Sequence, residues 1–306
     1  MPYRVISATR LLFCALLLLP LSVSAGTVVR VATSMGEFQI ELFDTAAPGT
    51  VANFLSYVNS GAYNGTVVHR LVPDFVIQGG WLTFNEAQQT FYDIAIGPTI
   101  QNEFSISNLR GTIAMAKVSG DPHSATSQWF INLGNNTELD SSNGGFTVFG
   151  RVMGAGMHTV DAIGALPPVT VINGLDTFPL INYTTGQLLS SHLVHLSMTR
   201  MGSTEGDPAV FDVSTAKLNA MVNAGELGMI RGEFALISET PNIVVKLDGA
   251  SLFYLDQTVP GMATFDSSTG RLTIPELRID GEVAYRNVRF LLTDAQHLVF
   301  TLEGAD

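Results

Sequence analysis

Val68-His69-Arg70-Leu71-Val72-Pro73-Asp74-Phe75-Val76-Ile77-Gln78-Gly79-Gly80 is the stretch on which the reading of this chain turns. Two runs rich in apolar residues, Thr66 to Leu71 and Phe75 to Gly79, flank Pro73-Asp74, which predicts two strands joined by a tight turn. Gln78 lies an even number of residues from Arg70 across that turn. Upstream, Val29 and Val31 alternate with polar neighbours, Ser34-Met35-Gly36 turns, and Phe38, Ile40 and Leu42 share one face, so Val28 to Leu42 reads as a hairpin. Val51, Phe54, Leu55 and Val58 then have helical spacing, with Gly61 as the stop.

Downstream, residues Trp81 to Leu109 are rich in loop formers, with a strand at Tyr92 to Ile96. Strands follow at Gly111 to Lys117, Gln128 to Leu133 and Thr147 to Val152, then a helix at Met157 to Ile163 and a strand at Leu193 to Met198. Many short strands with two helices predict a mainly β chain, a barrel or sandwich with helical caps.

Composition narrows the function classes. Apolar residues make up 46% and charged residues 14% of the 306, enough apolar content for packed cores. The formal charge is -12, and no basic run interrupts it, which disfavours nucleic acid and anionic membrane surfaces as partners. There is no glycine-lysine phosphate loop and no dinucleotide fingerprint. The six histidines show no metal-ligand spacing, so neither metal nor cofactor is expected.

At the start, Arg4 and Arg10 precede an apolar run from Leu11 to Leu19, Pro20 breaks it, and Val23-Ser24-Ala25 offers the small residues of a cleavage site. The run is too short to span a membrane, which takes roughly 20 residues. Residues 1–25 are therefore expected to be a cleavable signal peptide, placing the chain in the periplasm or outside the cell without stable membrane insertion. Cys14, the only cysteine, falls in that segment.

Past Arg200 the texture changes. Met201 to Pro208 reads as a polar linker. Beyond it, Phe211-Asp212, Ser214-Thr215 and Leu218 recur as Phe265-Asp266, Ser268-Thr269 and Leu272. Phe234 and Leu236 likewise match Phe290 and Leu292, and Ile243 to Leu247 matches Leu298 to Leu302. Each copy is too small to bury much surface alone, so the two are expected to pack as one small β domain over residues 201–306.

The opening stretch, together with Gly111-Thr112-Ile113-Ala114-Met115-Ala116 and Ser124-Ala125-Thr126-Ser127-Gln128-Trp129-Phe130-Ile131-Asn132, resembles the cyclophilin signature, most closely its periplasmic bacterial branch. Phe146 to Val152 resembles that family's strand after the pocket. The resemblance runs in order from about Val28 to Met198. It implies an eight-stranded antiparallel β-barrel capped by two helices over residues 26–200, and peptidyl-prolyl cis/trans isomerase activity on proline-containing unfolded or folding polypeptides. By the same resemblance Arg70 is the catalytic donor aimed at the prolyl nitrogen, and Gln78 holds it. Gln128 and Ala116-Lys117 match positions that bond the peptide main chain, and Phe75, Val76, Phe130, Leu139 and Phe146 build the proline slot. Trp129 and Phe130 point to opposite faces of a strand, and matching to the family leaves Trp129 for the core. Val68, Val76, Glu138 and Phe146 depart from the family pattern, which argues against cyclosporin binding. A proline-peptide binding module without turnover, and an interaction protein whose work lies in the repeats, stay open as alternatives.

The chemistry suits these residue types. The peptide C–N bond has partial double-bond character and a rotation barrier of about 18–20 kcal/mol, and X-Pro bonds populate both isomers. A catalyst need only stabilise the twisted state between them. That takes an apolar grip on the ring and a donor for the nitrogen lone pair, with no nucleophile.

Overall fold

The computed structural model describes residues 26–171, 177–204, 206–256 and 258–306; the expected signal peptide lies outside the described residues. β1 (Thr27–Thr33) and β2 (Gly36–Leu42) form the expected hairpin, with Val31 opposite Phe38 and Val29 opposite Ile40. Phe38, Ile40 and Leu42 are buried on one face. α1 (Pro48–Asn59) buries Val51, Phe54 and Val58, with Thr50 and Tyr57 beside them. No side chain of its own caps it. Instead the Gly49 and Thr50 N–H groups donate to the Glu103 carboxylate at 3.0 and 2.7 Å, which satisfies donors that a helix start leaves free.

The remaining strands of the first sheet are β3 (Thr66–Val67), β4 (Arg70–Val72), β5 (Val76–Gly79), β6 (Leu82–Asn85), β7 (Thr90–Asp93), β8 (Thr112–Met115), β9 (Trp129–Asn132) and β10 (Val148–Val152). α2 (Met157–Gly164), the short pair β11 (Pro168–Val169) and β12 (Phe178–Pro179), and β13 (His195–Ser203) follow. The strand expected from Thr66 to Leu71 is broken at Val68-His69, where the backbone changes partners. The Val68 N–H donates to Val194 O and the His69 N–H to Gln78 O. β3 thus pairs with β13, while β4 pairs with β5. That change closes the sheet into a barrel, running β13-β1-β2-β10-β8-β9-β5-β4 and back through β3, antiparallel throughout.

Further boundaries differ from the sequence reading. The strand expected at Tyr92 to Ile96 runs instead from Thr90 to Asp93, because its backbone partner is Leu82–Asn85, a strand inside the stretch read as loop. Phe75 sits in the turn rather than the strand, after Asp74 with φ 60°. The last strand runs past Met198 to Ser203, because Thr27 to Val29 supplies backbone partners there, with Val29 opposite Arg200 and Thr27 opposite Ser203. Met201 to Ser203 are thus strand rather than linker. Inside the barrel Trp129, Tyr63, Phe54 and Phe149 are the largest fully buried side chains. Gly80, at φ +85°, is required by this packing: a Cβ would lie 2.5 Å from Ser127 O and 2.9 Å from Trp129 Cδ1.

A second sheet contains β14 (Ala209–Asp212), β15 (Lys217–Asn223), β16 (Met229–Ser238), β17 (Val244–Leu247), β18 (Phe253–Leu255), β19 (Ala263–Asp266), β20 (Arg271–Ile279), β21 (Glu282–Asp294) and β22 (Val299–Gly304). The matched residues occupy equivalent places. Phe211 faces Leu218 as Phe265 faces Leu272, and Leu236 faces Val245 as Leu292 faces Phe300. Asp212 accepts from the Ser214 N–H as Asp266 accepts from Ser268. The copies exchange strands symmetrically: β14 runs parallel to β20, β15 parallel to β19, and β17 meets β22 antiparallel, closing a second barrel. Its seam with the first is apolar and methionine-rich. Val28 and Met153 from one side meet Met221, Phe253, Leu255 and Met262 from the other. The seam is pinned where Arg151 bridges Glu41 at 2.6 Å and Asp256 at 2.8 Å.

Candidate active site

β4 and β5 set the first two polar groups. Their register places Arg70 directly opposite Gln78, so both side chains leave the same outer face of the barrel. Arg70 Nη1 donates to Gln78 Oε1 at 3.2 Å, and Gln78 Nε2 donates to Gln128 Oε1 at 2.8 Å. The three residues form one hydrogen-bonded chain along the rim of a groove. Arg70 is half-buried, and that burial lowers the pKa of its guanidinium below the usual arginine value. Its charge is therefore already partly stripped of water and faces the groove.

An apolar cavity of about 280 Å³ adjoins this chain. Val76 and Phe130 floor it, both buried, above Ala114 and Val148. Phe75, Leu139 and Phe146 stand half-buried around them, with the Phe130 and Phe146 rings edge to face at 5.7 Å. β9 alternates as expected, sending Trp129 into the barrel core and Phe130 outward to the groove. Arg70, Phe75, Val76, Gln78, Ala116, Lys117, Phe130, Leu139 and Phe146 all line one cavity. Gln128 joins them through Gln78 rather than by lining the cavity itself.

The Lys117 side chain reaches away from the groove floor to a neighbouring loop. Its Nζ donates to Asn143 O at 2.8 Å and Gly145 O at 2.7 Å, and lies 4.6 Å from the centre of the Phe146 ring. The ammonium thus ties down the loop that carries Phe146. Burial lowers its pKa, against the opposing pull of Asp121.

Several residues that shape the groove carry no signal in the sequence. The Asp140 carboxylate accepts from the Ser107 hydroxyl and from both the N–H and the Nδ2 of Asn108, the latter two at 2.9 Å. Asn108 Nδ2 also donates to Phe146 O at 3.1 Å. Asn136 Nδ2 donates to Phe75 O at 2.8 Å. This net fixes the single turn Thr137–Asp140 that presents Leu139, and it ties Phe75 and Phe146 to the same frame. Burial raises the Asp140 pKa, but the hydrogen bonds from Ser107 and Asn108 outweigh it and leave the pKa below the usual carboxylate range. Asn and Asp in loops have many local uses, so nothing in spacing alone would single these out.

Beside Arg70, His69 is buried, and its ring meets Trp81 edge to face at 5.3 Å. Burial lowers its pKa to about 4, with Gln128 pulling the other way and the Arg70 charge adding to the lowering. A neutral imidazole next to the guanidinium is a structural neighbour rather than a base.

Comparison with known proteins bears on the same region. The family model described as cyclophilin type peptidyl-prolyl cis-trans isomerase/CLD matches residues 28–181. A peptidyl-prolyl cis-trans isomerase of Acinetobacter baylyi is 43% identical over 150 residues, covering 48% of this chain and 76% of its own length. Peptidyl-prolyl cis-trans isomerase A of Dickeya dadantii is 43% identical over 144 residues, 46% of this chain and 72% of its own. Peptidyl-prolyl cis-trans isomerase B of Escherichia coli is 41% identical over 138 residues, 43% of this chain and 80% of its own.

Proposed function

This chain belongs to the cyclophilin type peptidyl-prolyl cis-trans isomerase family, and on that premise we propose how its groove turns the X-Pro bond and where it does so. The activity is peptidyl-prolyl cis/trans isomerisation (EC 5.2.1.8), and its substrates are proline-containing polypeptides. The observation that carries the mechanism is the Arg70–Gln78–Gln128 chain on the rim of the apolar cavity.

The proline ring sits on Val76 and Phe130, walled by Phe75, Leu139 and Phe146. Amide resonance is lost as the bond twists, and the prolyl nitrogen regains a lone pair. A guanidinium N–H of Arg70 donates to that lone pair, which exists only near the transition state, so the interaction lowers the barrier without tightening the ground state. Gln78 spends its carbonyl oxygen on Arg70 and so fixes the guanidinium fork. Gln128 and the Ala116 backbone hold the peptide main chain across the groove. The proton inventory does not change at any step, so no general base enters.

The clients are secreted or periplasmic chains during folding. Support comes from the apolar run Leu11 to Leu19 followed by the small residues Val23-Ser24-Ala25; no helix among the described residues is long and apolar enough to cross a membrane. The isomerase domain runs from residue 26 to the end of β13 at Ser203, and the two repeats beyond it form an appended β domain. The test is exchange of a short Ala-Pro-Phe peptide followed by NMR, with the intact protein from a fractionated host and its N-terminal residue sequenced. Catalysed exchange by a protein beginning at Gly26 in the extracytoplasmic fraction is expected. Peptide binding by folded protein without any acceleration would replace catalysis by a holding role.

A further inference from the structure

The second barrel is built from two matched copies, yet its two halves are filled differently. Phe211, Leu218, Leu236 and Phe290 in one half correspond to Phe265, Leu272, Leu292 and Phe234 in the other, conserving size and type. Three pairs do not match in volume: Ala220 corresponds to Ile274, Gly232 to Val288 and Val245 to Phe300, and of the smaller members only Val245 lines the cavity of this barrel. Val245 and Phe300 face each other across the β17–β22 pairing, where the copies exchange. The Phe300 ring packs edge to face on Phe234 at 5.6 Å and on Phe265 at 6.1 Å, filling its half with three rings. In the other half Val245 stands with Phe290 and Phe211, and there a cavity of about 510 Å³ opens.

That volume lies within the roughly 300–1,000 Å³ typical of small-molecule sites. The walls are aliphatic and aromatic. At the mouth, Ile243 and Tyr285 are 39% and 51% exposed. Glu239 and Thr240 supply the polar rim, and the lining contains neither lysine nor arginine. The Glu239 carboxylate makes no ion pair among the described residues. A negative charge left open at an apolar mouth repels an anionic head and tolerates an uncharged or cationic one.

We propose that this half of the second barrel is a binding site for an apolar small molecule, of single-acyl-chain size, whose polar end is uncharged or cationic. The Phe→Val difference between the copies creates the site, and Glu239 sets the choice of head group.

The test uses the whole protein and the uncharged fluorophore N-phenyl-1-naphthylamine, with dodecanol and laurate as competitors. Saturable one-site binding is expected, displaced by dodecanol at concentrations at least tenfold below those needed with laurate, and not displaced by an Ala-Pro peptide. Val245→Phe copies the residue that its counterpart position already accepts, so it should fold with an unchanged or raised Tm and bind the probe at least tenfold more weakly. Glu239→Arg lies on the surface and should bring laurate to within a few-fold of dodecanol. Absence of saturable binding, displacement by the Ala-Pro peptide, or undiminished binding by folded Val245→Phe would overturn the site. If Val245→Phe does not fold, the Glu239→Arg competition decides: an unaltered preference for dodecanol rejects the assignment.

Discussion

Replacing Arg70 by alanine is the sharpest perturbation of the proposed mechanism, and its size can be worked out in advance. Two full charges about 4 Å apart at an effective dielectric constant of ~20 interact by about 4 kcal/mol. The lone pair released on the prolyl nitrogen carries a fraction of a charge, so the gain lies below that ceiling. A single preorganised donor in other active sites is worth about 2.7–4 kcal/mol. The half-buried position of Arg70 places it in the same regime, since its charge is partly desolvated before substrate arrives. At about 1.36 kcal/mol per decade, Arg70→Ala should lose roughly 10²–10³ in kcat/KM. Arg70→Lys keeps the charge but not the planar fork, and should fall between the two. Gln78→Leu removes the 3.2 Å bond that aims the fork, and about 1.5 kcal/mol for one hydrogen bond to a charged group predicts about a tenfold loss. NMR exchange on an Ala-Pro-Phe peptide reads all three above an uncatalysed floor of tens to hundreds of seconds. A folded Arg70→Ala protein that retains more than about a fifth of wild-type kcat/KM would refute the electrostatic role, leaving the apolar grip to do the catalysis.

Three further expectations follow from the same geometry. Because burial holds the His69 pKa at about 4 against an unfolded value near 6.5, the unfolded chain binds the extra proton between those values. Stability should therefore be fully present above about pH 6.5 and fall by about 3 kcal/mol towards pH 4; urea unfolding across that range should show the slope, and His69→Gln should flatten it. Lys117→Met keeps the stem but frees the Phe146 loop, so KM should rise about fivefold with kcat changing less; an equal fall in kcat instead would point to direct work on the transition state. Arg151→Ala leaves the buried Glu41 carboxylate without its cation and opens the seam at Asp256. Since Arg151 is 41% exposed, solvent softens the loss to about 1–3 kcal/mol, measurable as a lowered midpoint in urea, and Glu41→Gln in the same background should recover part of it.

Much of the site was legible in the sequence because strand alternation is a local rule. The period of two put Trp129 and Phe130 on opposite faces, the resemblance to the family chose Phe130 for the groove, and the turn at Pro73-Asp74 set Arg70 opposite Gln78. The repeat was legible for the same reason, since identical turn chemistry at Asp212-Ser214 and Asp266-Ser268 builds identical hairpins. Local rules do not see partners that arrive from elsewhere in the chain. Glu103 caps a helix 53 residues upstream, and Asp140 gathers Ser107 and Asn108 to frame the groove. The Lys117 ammonium is held by two loop carbonyls, of Asn143 and Gly145. The strand at Thr66 breaks at Val68 because Val194 and Gln78 compete for successive backbone groups, and the one at His195 extends to Ser203 because Thr27 lies alongside. Sequence by itself determined which residues share a side of each strand, and its resemblance to a family pointed to the donor and the floor of the groove. Tertiary structure alone decided who satisfies each buried polar group, and how one valine in place of phenylalanine opens a cavity, because hydrogen bonds and packing are made between segments far apart in sequence.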